Sequence, residues 1–400
     1  MVAIFADADK MKFRFFLFIF FLLTIFPGTA PALEYLRFIH QKRDISEEGR
    51  IVLEAQEEGI VFEARDGQLY VISTGNIIAR RQDDIPFEPY TKTEMIGRLE
   101  KEFPKSEGYQ YLDMFDPFIV IYTTSRPFAN WQGRLMEKLY TQYVSFWKRH
   151  GVELTQPEFP MVAIVLSNEG HFRQYASQEG ILLSARQCAF YHRLTNRIVL
   201  YDMSGLSALQ EQNGRPVTPA DIERFVKHRN SHFHITTVIH EATHQVGFNT
   251  GMHSRYMLEP LWIREGLAVF HEVPDQRNSL GWTTGPHVNL PRLEQLRKFL
   301  EKPQQQSPIQ NMIQDDELLK NEKTAPDNYA LAWGVVYYLE KKRPKELAEY
   351  LKLFQKKDFE SDDIDEVQMK DIRMKDFESC FGCDWGGFYK DFYDFLRRLR

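Results

Sequence analysis

The sequence predicts an α+β protein. A small β-rich module over residues 33–105 precedes a mixed α/β stretch over 106–205 and a helical stretch over 206–400. Three observations carry this. Short apolar runs bounded by turn residues fill the chain up to residue 202. From residue 219 onward apolar residues recur at almost wholly helical spacing. With 400 residues, 43% hydrophobic and 26% charged, the composition is that of a globular chain of two or three domains, and no 20–50-residue repeat interrupts it.

Residues 15–26 read FFLFIFFLLTIF, short of the about 20 apolar residues a bilayer helix needs. Lys10, Lys12 and Arg14 precede the run and Ala30-Pro31-Ala32 follows it. This is the pattern of a secretory signal peptide over about 1–32, with the mature chain starting near Leu33 in a secreted or periplasmic setting. Asp7 and Asp9 are unusual in such a leader, and a start at Met11 gives a cleaner one. An uncleaved signal anchor is the alternative.

In the module, RIVLEA (50–55), GIVFEA (59–64) and GQLYVI (67–72) read as strands, with Asp66-Gly67 as a hairpin turn. The module ends near Pro104 and is expected to be a structural add-on that can be removed without unfolding the rest. FIVIYT (118–123) is a buried strand. Leu135, Leu139, Tyr143 and Phe146 mark a helix over 128–150, closed by Gly151 after Lys148-Arg149-His150. MVAIVLS (161–167) is a strand and 169–179 a helix. CAFYHRL (188–194) and RIVLYD (197–202) form a hairpin around Thr195-Asn196.

Residues 235–247 read ITTVIHEATHQVG and contain His-Glu-x-x-His. On a helix, positions i and i+4 lie one turn apart on one face, so His240 and His244 can aim ring nitrogens at one Zn²⁺ while Glu241 reaches a metal-bound water as its base. Twelve histidines in 400 residues give about 0.03 such patterns by chance. The plain alternative is a pair of hydrogen-bonded core histidines. Gly247 either ends the helix or lets a neighbour approach. A third ligand is offered by Glu265 in WIREGLAVFHE (262–272), a second amphipathic helix. His253, in a loop with Gly251 and Pro260, is the rival; a helix fixes a ligand more rigidly. Glu272 lies two helical turns after Glu265 on the same face, where it can orient a ligand histidine through its other N–H, or simply be a solvated helix-end charge.

HEATH followed by WIREGLAVFHE resembles the gluzincin zinc peptidases, the clan of thermolysin and the aminopeptidase N family. The resemblance implies a zincin-like metallopeptidase domain, a Zn²⁺ held by His240, His244 and Glu265, and Glu241 as the base. The aminopeptidase N family also carries an acid at the offset of Glu272. It further has a tyrosine opening a helix after the ligand Glu; Tyr329 in DNYALAWGVVYYL (327–339) is similarly placed as oxyanion donor, with Tyr337 and Tyr338 as alternatives. The Gly-x-Met-Glu-Asn element of that family is missing before His240, which speaks against aminopeptidase specificity. An exposed edge on the RIVLYD strand would instead hold an extended peptide, as an endopeptidase requires. The stretch from about 118 to 345 also resembles an uncharacterised secreted family, domain of unknown function 1570.

Other features point elsewhere less well. Fifty Lys plus Arg against 56 Asp plus Glu, a net charge of −6, excludes a basic nucleic-acid footprint. Cys380 and Cys383 form a C-x-x-C with no second pair, best read as a local disulfide, and Cys188 as a small buried apolar residue. His228, His232 and His234 read as a solvated polar lead-in rather than a second metal site. The acidic run 358–366 reads as a solvated linker. The expected activity is zinc-dependent hydrolysis of a peptide or protein substrate, without nucleic acid and without stable membrane insertion once the signal is cleaved. The competing expectation is a zinc-binding extracytoplasmic scaffold or interaction protein that cleaves nothing.

Overall fold

A computed structural model of the chain describes residues 31–399, apart from 56–58, 186, 207–213, 230, 257–258, 276, 284–286, 303–306 and 357–365. The leader sequence therefore lies outside the described residues save its last two, as does the acidic run save Glu366. The protein mixes helix and sheet, with a β-rich N-terminal region and a helical C-terminal half. Among the described residues no helix is long and apolar enough to cross a membrane.

The N-terminal region is an antiparallel sheet of β1 (Ala32–His40), β2 (Arg43–Ala55), β3 (Gly59–Ala64), β4 (Leu69–Ser73) and β5 (Ile77–Pro86), in the order β4-β3-β2-β1-β5. Leu36, Phe38, Ile60, Phe62, Tyr70 and Ile72 form its core. The expected turn is present: Gly67 takes φ +81°, and Gln68 N–H donates to Asp66 Oδ1. β1, the first half of β2 and β5 are additional to the strands expected from the sequence. The β1–β2 turn is made by Gln41 and Lys42, both at positive φ, without the Asn-Gly signature of such turns. Almost all of β5 is exposed on both faces, so no apolar alternation marks it.

The region expected to be only β-rich also contains a helix, α1 (Lys92–Glu102), opened by a Thr91–Glu94 capping box. Met95, Leu99 and Phe103 pack against Ile119, Ile121, Val162 and Ile164 of the next sheet. The hydrophobic packing therefore changes hands between Pro86 and α1 rather than at Pro104.

The second sheet contains β6 (Gln110–Phe115), β7 (Phe118–Tyr122), β8 (Met161–Leu166), β9 (Ala189–His192) and β10 (Arg197–Tyr201), in the order β6-β7-β8-β10-β9. β7, β8 and β10 run parallel; the edge strands β6 and β9 are antiparallel to their neighbours. Alternate residues point to opposite faces. Ile119, Ile121, Val162, Ile164 and Val199 meet α1 and α3 (Glu169–Gln178), whereas Val120, Ala163, Val165, Ile198 and Leu200 meet the large core of the helical half. This two-sided burial is why these strands read as unbroken apolar runs. RIVLYD, expected at an edge, is β10 and lies inside the sheet; the edge beside the helical half is β9.

α2 (Arg126–Arg149) lies in the large core and ends at Gly151, φ +81°, as expected. The helical half runs α4 (Pro219–Lys227), α5 (Ser231–Asn249), α6 (Leu261–His271), α7 (Leu290–Leu300), α8 (Pro308–Gln314), α9 (Glu317–Lys320), α10 (Ala325–Lys342), α11 (Pro344–Lys356), α12 (Glu366–Phe381) and α13 (Trp385–Arg398). α5 lies between the second sheet, α2 and α6, and α10 backs α6.

Candidate metal centre

α5 is buried on nearly every side. Ile235, Val238, Ile239, Ala242 and Val246 join the large core, and Gln245 Nε2 ties the helix to the sheet through Val162 O (3.1 Å) and Asn196 O (2.7 Å). Thr237 and Thr243 return their hydroxyls to Phe233 O and Ile239 O, which lets polar side chains sit in that core. The helix continues past Gly247 to Asn249. A Cβ on Gly247 would lie 2.6 Å from His253 Cδ2, so this glycine serves close approach rather than termination.

α6 presents Glu265 to this helix. Its first N–H, at Leu261, is received by Asp316 Oδ1 at 2.8 Å. At Gly266 a Cβ would meet Ala332 O at 2.9 Å and Val336 Cγ2 at 2.7 Å, so only glycine lets α10 press against α6 here.

His240, His244 and Glu265 converge. Their nearest atoms form a near-equilateral triangle: His240 Nε2 to Glu265 Oε2 is 3.2 Å, His240 Nε2 to His244 Nε2 is 3.2 Å, and His244 Nε2 to Glu265 Oε2 is 3.4 Å. Among the described residues this is the one group of three His, Cys, Asp or Glu side chains able to hold a metal ion. His253 stands apart. Its Nδ1 pairs with Glu259 Oε2 at 2.6 Å, and the other Glu259 oxygen accepts from Ser254 N–H.

Glu272, the C-cap of α6, places Oε2 3.2 Å from His240 Nδ1. It is buried rather than a solvated helix-end charge. Arg292 Nη2, on α7, lies 3.5 Å from its other oxygen. Glu241 accepts a 2.9 Å hydrogen bond from the backbone N–H of Tyr191 on β9. The Tyr329 ring is buried, its centroid 6.2 Å from that of His240. Tyr337 packs on Phe270 and Trp333, and Tyr338 on Phe388 and Phe392, within the aromatic core. Nothing in the sequence marks the Tyr191 N–H or Arg292, because a backbone donor has no residue signature and Arg292 belongs to no motif.

The charges form one coupled set. Burial opposes a positive His240, but the bonds to Glu265 and Glu272 outweigh it and lift the imidazole to about 10. Burial pushes His244 down to about 4 despite Glu265. Burial also resists ionisation of Glu265, yet the two histidines hold its carboxyl well below the usual range. Burial lifts Glu241 to about 7, with His240 opposing and Glu265 reinforcing. The set is thus built around one positive charge, a proton on His240 or a cation in its place.

Two further expectations are corrected. His234 is not solvated: it is buried against Phe128, Trp131 and Phe225, bonded to Gln132, and burial pushes it to about 4. Cys380 and Cys383 are free thiols, the Cys380 sulfur lying 3.7 Å from Ser379 Oγ. Cys188 is buried, as expected.

Residues 234–360 match a family described as a protein of unknown function, DUF1570. The DUF1570 match starts on α5 and takes in all three ligand candidates, Glu241, Glu272, Arg292 and Tyr329. Both sheets lie outside it, including β9, which supplies the N–H to Glu241. No curated protein matches the chain.

Proposed function

We propose that the chain is a secreted or periplasmic zinc metallopeptidase of zincin-like fold and gluzincin type. The observation that carries this reading is the 3.2–3.4 Å triangle of His240, His244 and Glu265. A tetrahedron with zinc bonds of about 2.0–2.1 Å has an edge of roughly 3.3–3.4 Å. Two imidazoles and one carboxylate are the donor set of a catalytic rather than a closed structural zinc site.

A bound zinc ion would supply Lewis acidity toward a peptide carbonyl and toward water. Glu241 takes the proton of the attacking water and returns it to the leaving amine. Glu272 holds the His240 ring through Nδ1, which leaves Nε2 for the metal. Tyr329, beside His240, is the candidate donor to the oxyanion. The edge strand β9 next to α5 suits an extended peptide paired through its main chain, which favours an endopeptidase. A second reading, a zinc-holding scaffold that cleaves nothing, draws on the burial of the whole set and on the Tyr191 N–H that engages Glu241.

Wild type and Glu241→Gln, both metal-loaded, separate the two on a mixed protein digest. Each is expected to hold about one zinc ion per chain. Glu241→Gln should hydrolyse at least about 10²-fold more slowly. Tyr329→Phe should lower turnover while keeping its zinc. Equal rates from wild type and Glu241→Gln would place the hydrolysis elsewhere. No cleavage by the wild type across the whole digest would leave the scaffold reading standing.

A further inference from the structure

We infer that the N-terminal sheet is a brace for the edge strand β9, and that Arg255 is the positioning residue through which it acts. Arg255 lies in the loop between α5 and α6, and its side chain is buried. Its guanidinium reaches three segments far apart in sequence. Nη2 donates to Gly67 O at the β3–β4 turn (2.6 Å), and to Arg193 O (2.9 Å) and Leu194 O (3.1 Å) at the end of β9. Nε adds a second bond to Arg193 O at 3.1 Å, and Nη1 pairs with Glu63 Oε1 at 3.2 Å. Only a planar fork of five donors can satisfy carbonyls and a carboxylate in this way; a lysine ammonium cannot.

The acceptors are themselves fixed. Glu63 also receives Tyr256 OH at 2.9 Å, and Arg50 joins Glu63 to Glu158 in the stretch between α2 and β8. Leu69 N–H donates to Leu194 O at 2.7 Å, so β4 adds a backbone bond to the same turn. Gly67 packs on Phe159, where a Cβ would come within 2.8 Å of the ring. From the opposite side, Asn196 exchanges side-chain bonds with Asn249 of α5 and receives Tyr191 OH at 2.9 Å. The β9–β10 turn is therefore clamped between the N-terminal sheet and the end of α5. Two residues back along β9, the Tyr191 N–H meets Glu241. The chain of bonds runs from the N-terminal sheet to the proposed base and bypasses the metal ligands.

This rests on the peptidase reading only for its kinetic arm. The full mature chain is made as wild type, Arg255→Lys, Arg255→Met and Glu63→Gln. Zinc content and backbone amide exchange are measured, followed by hydrolysis. The variants should keep their zinc. Amide exchange over 189–194 should rise at least about tenfold while β7 (118–122) keeps its protection, because the opening is local. Hydrolysis should lose at least about tenfold in kcat/KM, chiefly through KM, since the peptide-holding edge is what loosens. Should Arg255→Met fail to fold, Arg255→Lys and Glu63→Gln carry the same test. Unchanged exchange over 189–194, or a rise shared equally by β7, overturns the brace. A wild type without hydrolysis sinks the peptidase reading and leaves the exchange result to decide this one.

Discussion

His240 stands between two carboxylates, one at each ring nitrogen, while its neighbour His244 has only Glu265 to offset burial. That difference separates a histidine held at about 10 from one at about 4 in the metal-free protein. A raised histidine pKa means the proton is kept until the pH passes about 10, so a metal binding between pH 7 and 9 must expel it. Binding should release about one proton per ion, and apparent affinity should climb with pH across that window. Calorimetry in two buffers of different ionisation enthalpy reads this; release of no proton would show that His240 is already neutral before the metal binds. In the same assay Glu265→Ala should abolish binding and His253→Ala should spare it, with Glu272→Gln weakening it by roughly 10- to 100-fold. The spacing of His240, His244 and Glu265 was legible because helix geometry turns sequence offsets into shared faces. His234 was misread for the converse reason: its burial depends on Phe128, Trp131 and Phe225, two of which lie a hundred positions away.

Among the elements, α6 and α10 depend on each other at Gly266. Adding one methyl there forces backbone against Ala332 O, which does not yield as a flexible side chain would. Gly266→Ala should lower stability by about 1–3 kcal/mol and weaken metal binding by displacing Glu265, although alanine is the better helix former. A melting temperature equal to wild type would show that the two helices separate at little cost. Elements with one strong pattern, such as α2, β7 and β8, could be read from the sequence. β5 could not, because both its faces meet solvent. α1 carried its own label in the Thr91–Glu94 box, and its apolar face, Met95 and Leu99, belongs to the core of the following sheet.

At the scale of the molecule, the β-rich start is stitched into the rest at several places. Arg98 of α1 engages Glu47 and Asp66 of the first sheet, and Arg255 reaches back to Glu63 and Gly67. A truncation at residue 105 would strip α1 from Ile119, Ile121, Val162 and Ile164, and would take Glu63 and Gly67 away from Arg255. Large apolar side chains each contribute about 1.5–3 kcal/mol when buried, so uncovering that face of the second sheet removes several such contributions at once. The truncated chain should therefore aggregate or melt without a cooperative transition. A sharp melt close to that of the full chain would restore the view of residues 33–105 as dispensable. The sequence suggested a separable unit because composition and turn spacing change near Pro104; the contacts that bind it are long-range and leave no local trace.

The donors His240, His244 and Glu265 are each at most 5% exposed. Burial of that depth sets a clock as well as an affinity. A site that opens only when α5 and α6 part would give a rate of metal loss that levels off as chelator concentration rises, at the frequency of that local opening. A rate that keeps growing in proportion to chelator would mean an open path to solvent, the path a peptide substrate would also use. A levelling rate would make the lifetime of the loaded protein a property of how these two helices breathe, and metal retention would then outlast passage through compartments where free zinc is scarce.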